Sequence, residues 1–96
     1  MIYLDCSGVT FYSNLDEKHL FSWACEIAGV VGWERDTLLV RSRRISAESL
    51  RELLALFWRY HIPMAQLAQF RSTSNDAWFV EPRKYWHKSV FGKSAI

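Results

Sequence analysis

The side chains best suited to grip a partner stand close together near the end of the chain. Trp78-Phe79-Val80-Glu81-Pro82-Arg83-Lys84-Tyr85-Trp86-His87-Lys88 interleaves rings with cations. Ammonium and guanidinium groups attract carboxylate or phosphate, while indole and phenol rings add contact area with a polar tip. If the segment from Pro82 to about Phe91 is helical, Lys84 and Lys88 lie four residues apart, as do Arg83 and His87. Neighbouring rows then collect positive charge, with Trp86 and Val90 as the apolar row. Trp78, Tyr85 and Trp86 are the expected aromatic anchors. Arg41, Arg43 and Arg44 make a second cluster after an apolar run. In an extended strand Arg41 and Arg43 share a face, about 7 Å apart. Both clusters also have purely structural explanations. Cations complement the end of a helix, a tryptophan anchors it, and positive charge guards an edge strand. The functional case strengthens if the two clusters share one side of the fold.

Other chemistries find less support. His19, His61 and His87 are far apart and lack metal-ligand spacing. There is no glycine-rich phosphate loop and no nucleophile elbow. Cys25 falls in a helical pattern with nothing local to activate its thiol. No catalytic, metal or cofactor-binding residue is therefore expected. Zinc-finger, ribonucleoprotein and KH-type signatures are missing too. The helix-turn-helix-like pair at residues 47–60 and 63–70 has no basic face on its second member, Met64-Ala-Gln-Leu-Ala-Gln-Phe70.

Charge is split along the chain: residues 1–40 hold six acids against two bases, and residues 41–96 hold ten bases against four acids. A basic, ring-bearing surface suits an anionic partner. The expected function is a small non-enzymatic, protein-binding or regulatory domain, of the kind that covers and neutralises another protein. The alternative is a nucleic-acid-binding domain using the same residues, with a small enzyme third. Asp16, Glu17, Glu26, Glu34 and Asp36 could instead form an acidic face for a basic partner, although caps and turns account for most of them. A homodimer would also cover exposed rings.

At 96 residues, half hydrophobic and 16% aromatic, the chain predicts one folded domain over 1–96, with 93–96 a frayed tail. Two cysteines are too few for a disulfide scaffold. Two reduced, buried thiols fit better than a Cys6–Cys25 bridge. The start of the chain lacks a basic segment followed by a long apolar one, and no apolar run reaches the roughly 20 residues that span a bilayer. A cytoplasmic protein without a membrane partner is expected.

The elements that must position these groups follow from periodicity. Ile2–Asp5 and Val9–Tyr12 read as strands around Ser7-Gly8. Asn14 caps a helix whose inner face is Leu20, Trp23, Ala24 and Ile27, ended by Gly29. Val30–Trp33 and Thr37–Ser42 form a hairpin around Glu34-Arg35-Asp36, with Leu38 and Val40 on one face. Ser46 caps a helix over Ala47–Tyr60 with the stripe Leu50, Leu53, Leu54, Phe57 and Trp58. Pro63 breaks the chain at Ile62, and Met64, Leu67 and Phe70 predict a short second helix. Trp78–Val80 is a strand or an irregular plug. The sum is an α+β two-layer sandwich: a mainly antiparallel sheet of about four strands with helices on one face.

Overall fold

A computed structural model describes residues 1–92; the expected frayed tail lies outside them. The longest element is helix α2 (Ala47–Tyr60), which the sequence marks most clearly. The Ser46 hydroxyl accepts a hydrogen bond from the Ser49 N–H at 3.0 Å, satisfying one of the orphan donors of the first turn. Ser49 in turn donates from its hydroxyl to the Ala28 carbonyl at 2.8 Å, fastening the helix start to the end of the preceding one. Leu50, Leu53, Leu54 and Phe57 are buried as the stripe predicts, joined by Leu56 and Tyr60 on one flank. The buried arc is therefore rotated away from Trp58, which stands on the opposite flank and is half exposed. At the C-terminus the Ile62 N–H bonds the Phe57 carbonyl and the His61 N–H the Trp58 carbonyl, a Schellman turn. His61 takes the left-handed conformation usually given to glycine, at φ 57°.

After Pro63 the chain forms a 3-10 helix over Met64–Phe70. The threefold spacing of Met64, Leu67 and Phe70 matches three residues per turn, so all three line one edge, and all are buried. Asn75 closes the next loop. Its buried carboxamide donates to the Phe70 carbonyl at 2.7 Å and accepts from the Ser72 N–H at 2.8 Å. Arg71 and Asp76 pair across the same loop at 2.6 Å.

The sheet has three strands, β1 (Ile2–Asp5), β2 (Val30–Glu34) and β3 (Thr37–Val40), in the order β1-β3-β2 and antiparallel throughout. The β2–β3 hairpin turns through Arg35 and Asp36, with Arg35 left-handed at φ 56°. Leu4 and Leu38 pair opposite each other, as do Ile2 and Val40, and this face enters the core with Trp33 and Val30. Gly29 enters β2 at φ 98°, where an added Cβ would lie 3.0 Å from an Ile45 methyl. Helix α1 (Asn14–Cys25) packs against α2 and β2. Leu20, Ala24 and Ile27 are buried and Trp23 is partly so. Its cap is Ser13, one residue before the expected Asn14, with Asp16 as the residue whose N–H it accepts.

The α+β class and the antiparallel sheet agree with the sequence reading, and the count of about four strands is corrected to three. Val9–Tyr12 leaves the sheet instead of pairing with β1. The Asp5 carboxylate accepts the Ser7 N–H at 2.9 Å, turning the chain. The Gln66 side chain accepts from the Asp5 N–H at 2.7 Å and donates to its carbonyl at 2.8 Å, occupying the strand edge as a neighbouring strand would. Trp78–Val80 is not a strand: helix α3 covers Asp76–Phe79. The helix expected from Pro82 shortens to α4 (His87–Phe91), because turns hold the preceding residues: the Lys84 N–H bonds Glu81 and the His87 N–H bonds Lys84. β3 stops at Val40, where the Arg41 N–H turns to the Gly29 carbonyl at 2.8 Å. Both cysteines are free. Cys6 is buried, and Cys25, expected to be buried, is exposed at the end of α1.

Two outcomes check this packing. Asn75→Ala strands the buried Phe70 carbonyl and unpairs the partly buried Ser72 N–H, and should cost about 1–3 kcal/mol in urea unfolding. A thiol reagent should label Cys25 in the native protein and reach Cys6 only after unfolding, since burial pushes the Cys6 thiol up to about 12 and withholds its thiolate.

Candidate binding surface

Trp86 is the fixed point of the C-terminal region. Its ring is buried and its indole N–H donates to the Phe79 carbonyl at 2.8 Å. The sequence offers Trp86 as a contact residue; its burial makes it the post on which contact residues are mounted. Trp78 meets it edge-to-face at 5.9 Å and Tyr85 at 4.9 Å. Tyr85 then reaches across to α2 and packs edge-to-face on Trp58 at 5.0 Å. The fold thus gathers Trp78, Tyr85 and Trp86, as the sequence expects, and adds Trp58, which the sequence assigns to the core. Trp58 and Tyr85 remain 49% and 48% exposed, the largest accessible rings of this cluster.

Arg51 is a second residue that the sequence pattern places only on a solvated face. Its guanidinium lies 4.3 Å from the centroid of Trp78, a cation–π contact. A signal for it exists in the spacing, since Arg51 and Trp58 are seven apart on one flank of α2 with the small Ala55 between them.

Among the predicted cations, Lys84 stands 5.9 Å from the Trp86 centroid, and Lys88 is exposed on α4. Their expected i,i+4 alignment, and that of Arg83 with His87, is lost with the shortened helix. Arg83 folds back on its own loop, pairing with Glu81 at 3.1 Å while its N–H bonds the same carboxylate. Arg41, Arg43 and Arg44 are exposed in the passage from β3 to α2, near Gly29. Trp58 lies twelve residues beyond the Ser46 cap, roughly 18 Å along the helix axis. Arg41, Arg43 and Arg44 thus precede the start of α2 while Tyr85 packs on Trp58 near its end, and Arg41 and Arg43 do not share a strand face because β3 has already ended.

The surface is not uniformly basic. The Glu52 carboxylate accepts the Trp23 indole N–H at 2.9 Å. Its charge, together with partial burial as the larger cause, raises the Tyr85 phenol above its usual value. Glu52 also lines a cleft of about 640 Å³ between α1 and α2, with His19, Trp23, Glu26 and Glu48. The outer side of α2 therefore carries both signs, with Glu48 and Glu52 on either side of Arg51 and with Arg59 in the last turn. Among the described residues, no three His, Cys, Asp or Glu side chains gather as a metal site, and no helix is long and apolar enough to cross a membrane. No family model, curated protein or solved structure matches the chain.

The Tyr85 environment has a direct readout. Burial and Glu52 both disfavour the phenolate, so Tyr85 contributes stability that is present below the usual tyrosine value near 10 and declines as pH rises through its own raised value. In a spectroscopic tyrosine titration, Glu52→Gln should shift the Tyr85 transition partway back toward the ordinary value. An unchanged transition would place burial alone behind the shift.

Proposed function

We propose that this chain is a non-enzymatic protein-binding domain that works in the cytoplasm and docks through Arg51, Trp58, Trp78, Lys84, Tyr85 and Lys88. One observation carries the reading: two large rings, Trp58 and Tyr85, lie in edge-to-face contact at 5.0 Å and stay half exposed beside a fully formed core. Exposed aromatics held rigid by packing lose little side-chain entropy on binding, and Trp, Tyr and Arg dominate the energetics of protein interfaces. Lys84 and Lys88, with Arg59, would steer an acidic face toward the rings. Covering and neutralising a partner is a task such a surface can perform.

The placement of charge favours a protein over a nucleic acid. A phosphate backbone laid along the rings would meet Glu52 beside Tyr85, Glu48 one turn earlier, and Arg83 already paired with Glu81. A protein face with charges of both signs can match that pattern, whereas a uniform polyanion cannot.

A tagged pull-down from nuclease-treated lysate, run beside two variants, tests the reading. The Trp58→Ala, Tyr85→Ala double variant should lose the captured protein, with affinity falling about 30-fold or more, while Arg41→Ser, Arg43→Ser, Arg44→Ser should retain it. Recovery of nucleic acid in place of protein would move the alternative to first place. Self-association abolished by the same double variant would identify the partner as a second copy.

A further inference from the structure

Where α2 ends, the chain reverses sharply and leaves a recess. The Schellman turn at His61 and the bend at Pro63 bring Met64 back beneath the last turn of the helix. Trp58 and Pro63 supply its accessible apolar walls, with the buried Phe57, Ile62 and Met64 behind them, and His61 and Ser89 form the polar rim. Ser89, on α4, closes the far side with a side chain too small to fill the space, and about 560 Å³ remains. Recesses of this size and lining have room for a bulky apolar group. The Ile62 and His61 N–H groups already satisfy the carbonyls of Phe57 and Trp58, so an apolar guest would leave no orphan acceptor there.

We propose that this recess receives one apolar side chain from an acidic segment of the partner. The inference rests on the protein-binding reading above and names the chemistry of what binds. Trp58 belongs both to the recess and to the exposed ring pair, so the two form one continuous surface. Cations outnumber carboxylates beside it. Lys88 adjoins Ser89, and Arg59 lies in the last turn of α2, beside a neighbouring cleft that shares His61 with the recess. Among the described residues neither Lys88 nor Arg59 is ion-paired. No carboxylate lines the recess, and Asp16, in the adjoining cleft, is turned to the Tyr12 N–H at 3.3 Å. An apolar anchor flanked by Asp or Glu would fill the recess and meet these free cations together. A basic segment would be repelled by the same groups.

The test uses the full chain, labelled with nitrogen-15, and two sets of short peptides. One set carries a single Leu, Phe or Trp flanked by Asp and Glu, and the other carries the same centres flanked by Lys and Arg. The acidic set should shift the amides of Ile62, Met64 and Ser89 and the indole of Trp58, and the basic set should not. Ser89→Trp, which plugs the recess from its exposed rim, should weaken the acidic peptides by about tenfold or more. Lys88→Glu, a surface change that leaves the core intact, should weaken them several-fold and decides the matter if the tryptophan variant misfolds. Shifts confined to Trp78, Tyr85 and Lys84, or equal affinity in Ser89→Trp, would overturn the recess while leaving the wider surface in place. Preference for the basic set, or no response to the acidic one, would overturn the inference as well. The protein-binding reading itself fails on a different result: partner capture untouched by Trp58→Ala and Tyr85→Ala.

Discussion

The burial of one wide arc on α2 is the constraint from which the remaining packing follows. Leu50, Leu53, Leu54, Leu56 and Phe57 are all essentially inaccessible to water, and each fully buried side chain of this kind contributes about 1.5–3 kcal/mol. A small sheet is stable only when it buries a hydrophobic face; here the inner face of the three strands, Leu4, Leu38 and Val40, is buried in the same core as the α2 arc. Met64, Leu67 and Phe70 join that core from the 3-10 helix, and Phe79, Trp86 and Val90 from the C-terminal segment. Such an arc cannot also bury Trp58, and the outward turn of that one ring creates the exposed pair with Tyr85.

Side-chain amides and hydroxyls join the irregular segments to this core. Gln66 completes the edge of β1, Asn75 closes the loop after the 3-10 helix, and Ser49 ties α2 to the Ala28 carbonyl. Each supplies a hydrogen bond that a longer strand or helix would otherwise have supplied through its backbone. The chain thereby sustains three helical segments of seven residues or fewer, Met64–Phe70, Asp76–Phe79 and His87–Phe91, well below the length at which helices persist without tertiary support. The indole N–H of Trp86 acts in the same way on the Phe79 carbonyl, so the post that carries Tyr85 and Trp78 is held by packing and by a buried hydrogen bond together.

The outer side of α2 combines two consequences of that arrangement. Its start meets the C-terminal end of α1, where Trp23, Glu26, Glu48 and Glu52 line a cleft, and its end meets the turn into the 3-10 helix, near the cations of the C-terminal segment. Both signs stand on this one helix, with Glu48 and Glu52 on either side of Arg51 and with Arg59 in the last turn. Glu52 links the two ends of this surface, bonded to Trp23 on one side and felt by Tyr85 on the other. A partner docking on the proposed surface would have to match charges of both signs and a pair of fixed rings, which is a more demanding match than a basic patch alone would impose.

Local periodicity determined much of the architecture. The caps and stripe of α2, the inward Leu38 and Val40, the break before Pro63 and the threefold rhythm of Met64, Leu67 and Phe70 are all set by residues within a turn or two of each other. Trp78, Lys84, Tyr85 and Lys88, ingredients of the proposed binding surface, stand out in the sequence as rings among cations. Which rings face water was decided elsewhere. Val9–Tyr12 has strand composition, yet Gln66, far along the sequence, holds the edge it would have paired with; Trp58 has stripe spacing, yet the arc turns toward its other flank; Trp86 sits among cations, yet Phe79 draws it inward. Arg41, Arg43 and Arg44 match the C-terminal cations in type but precede the start of α2. Burial is a property of the whole packed arrangement, and a local pattern does not reveal which distant group will occupy a given edge or flank.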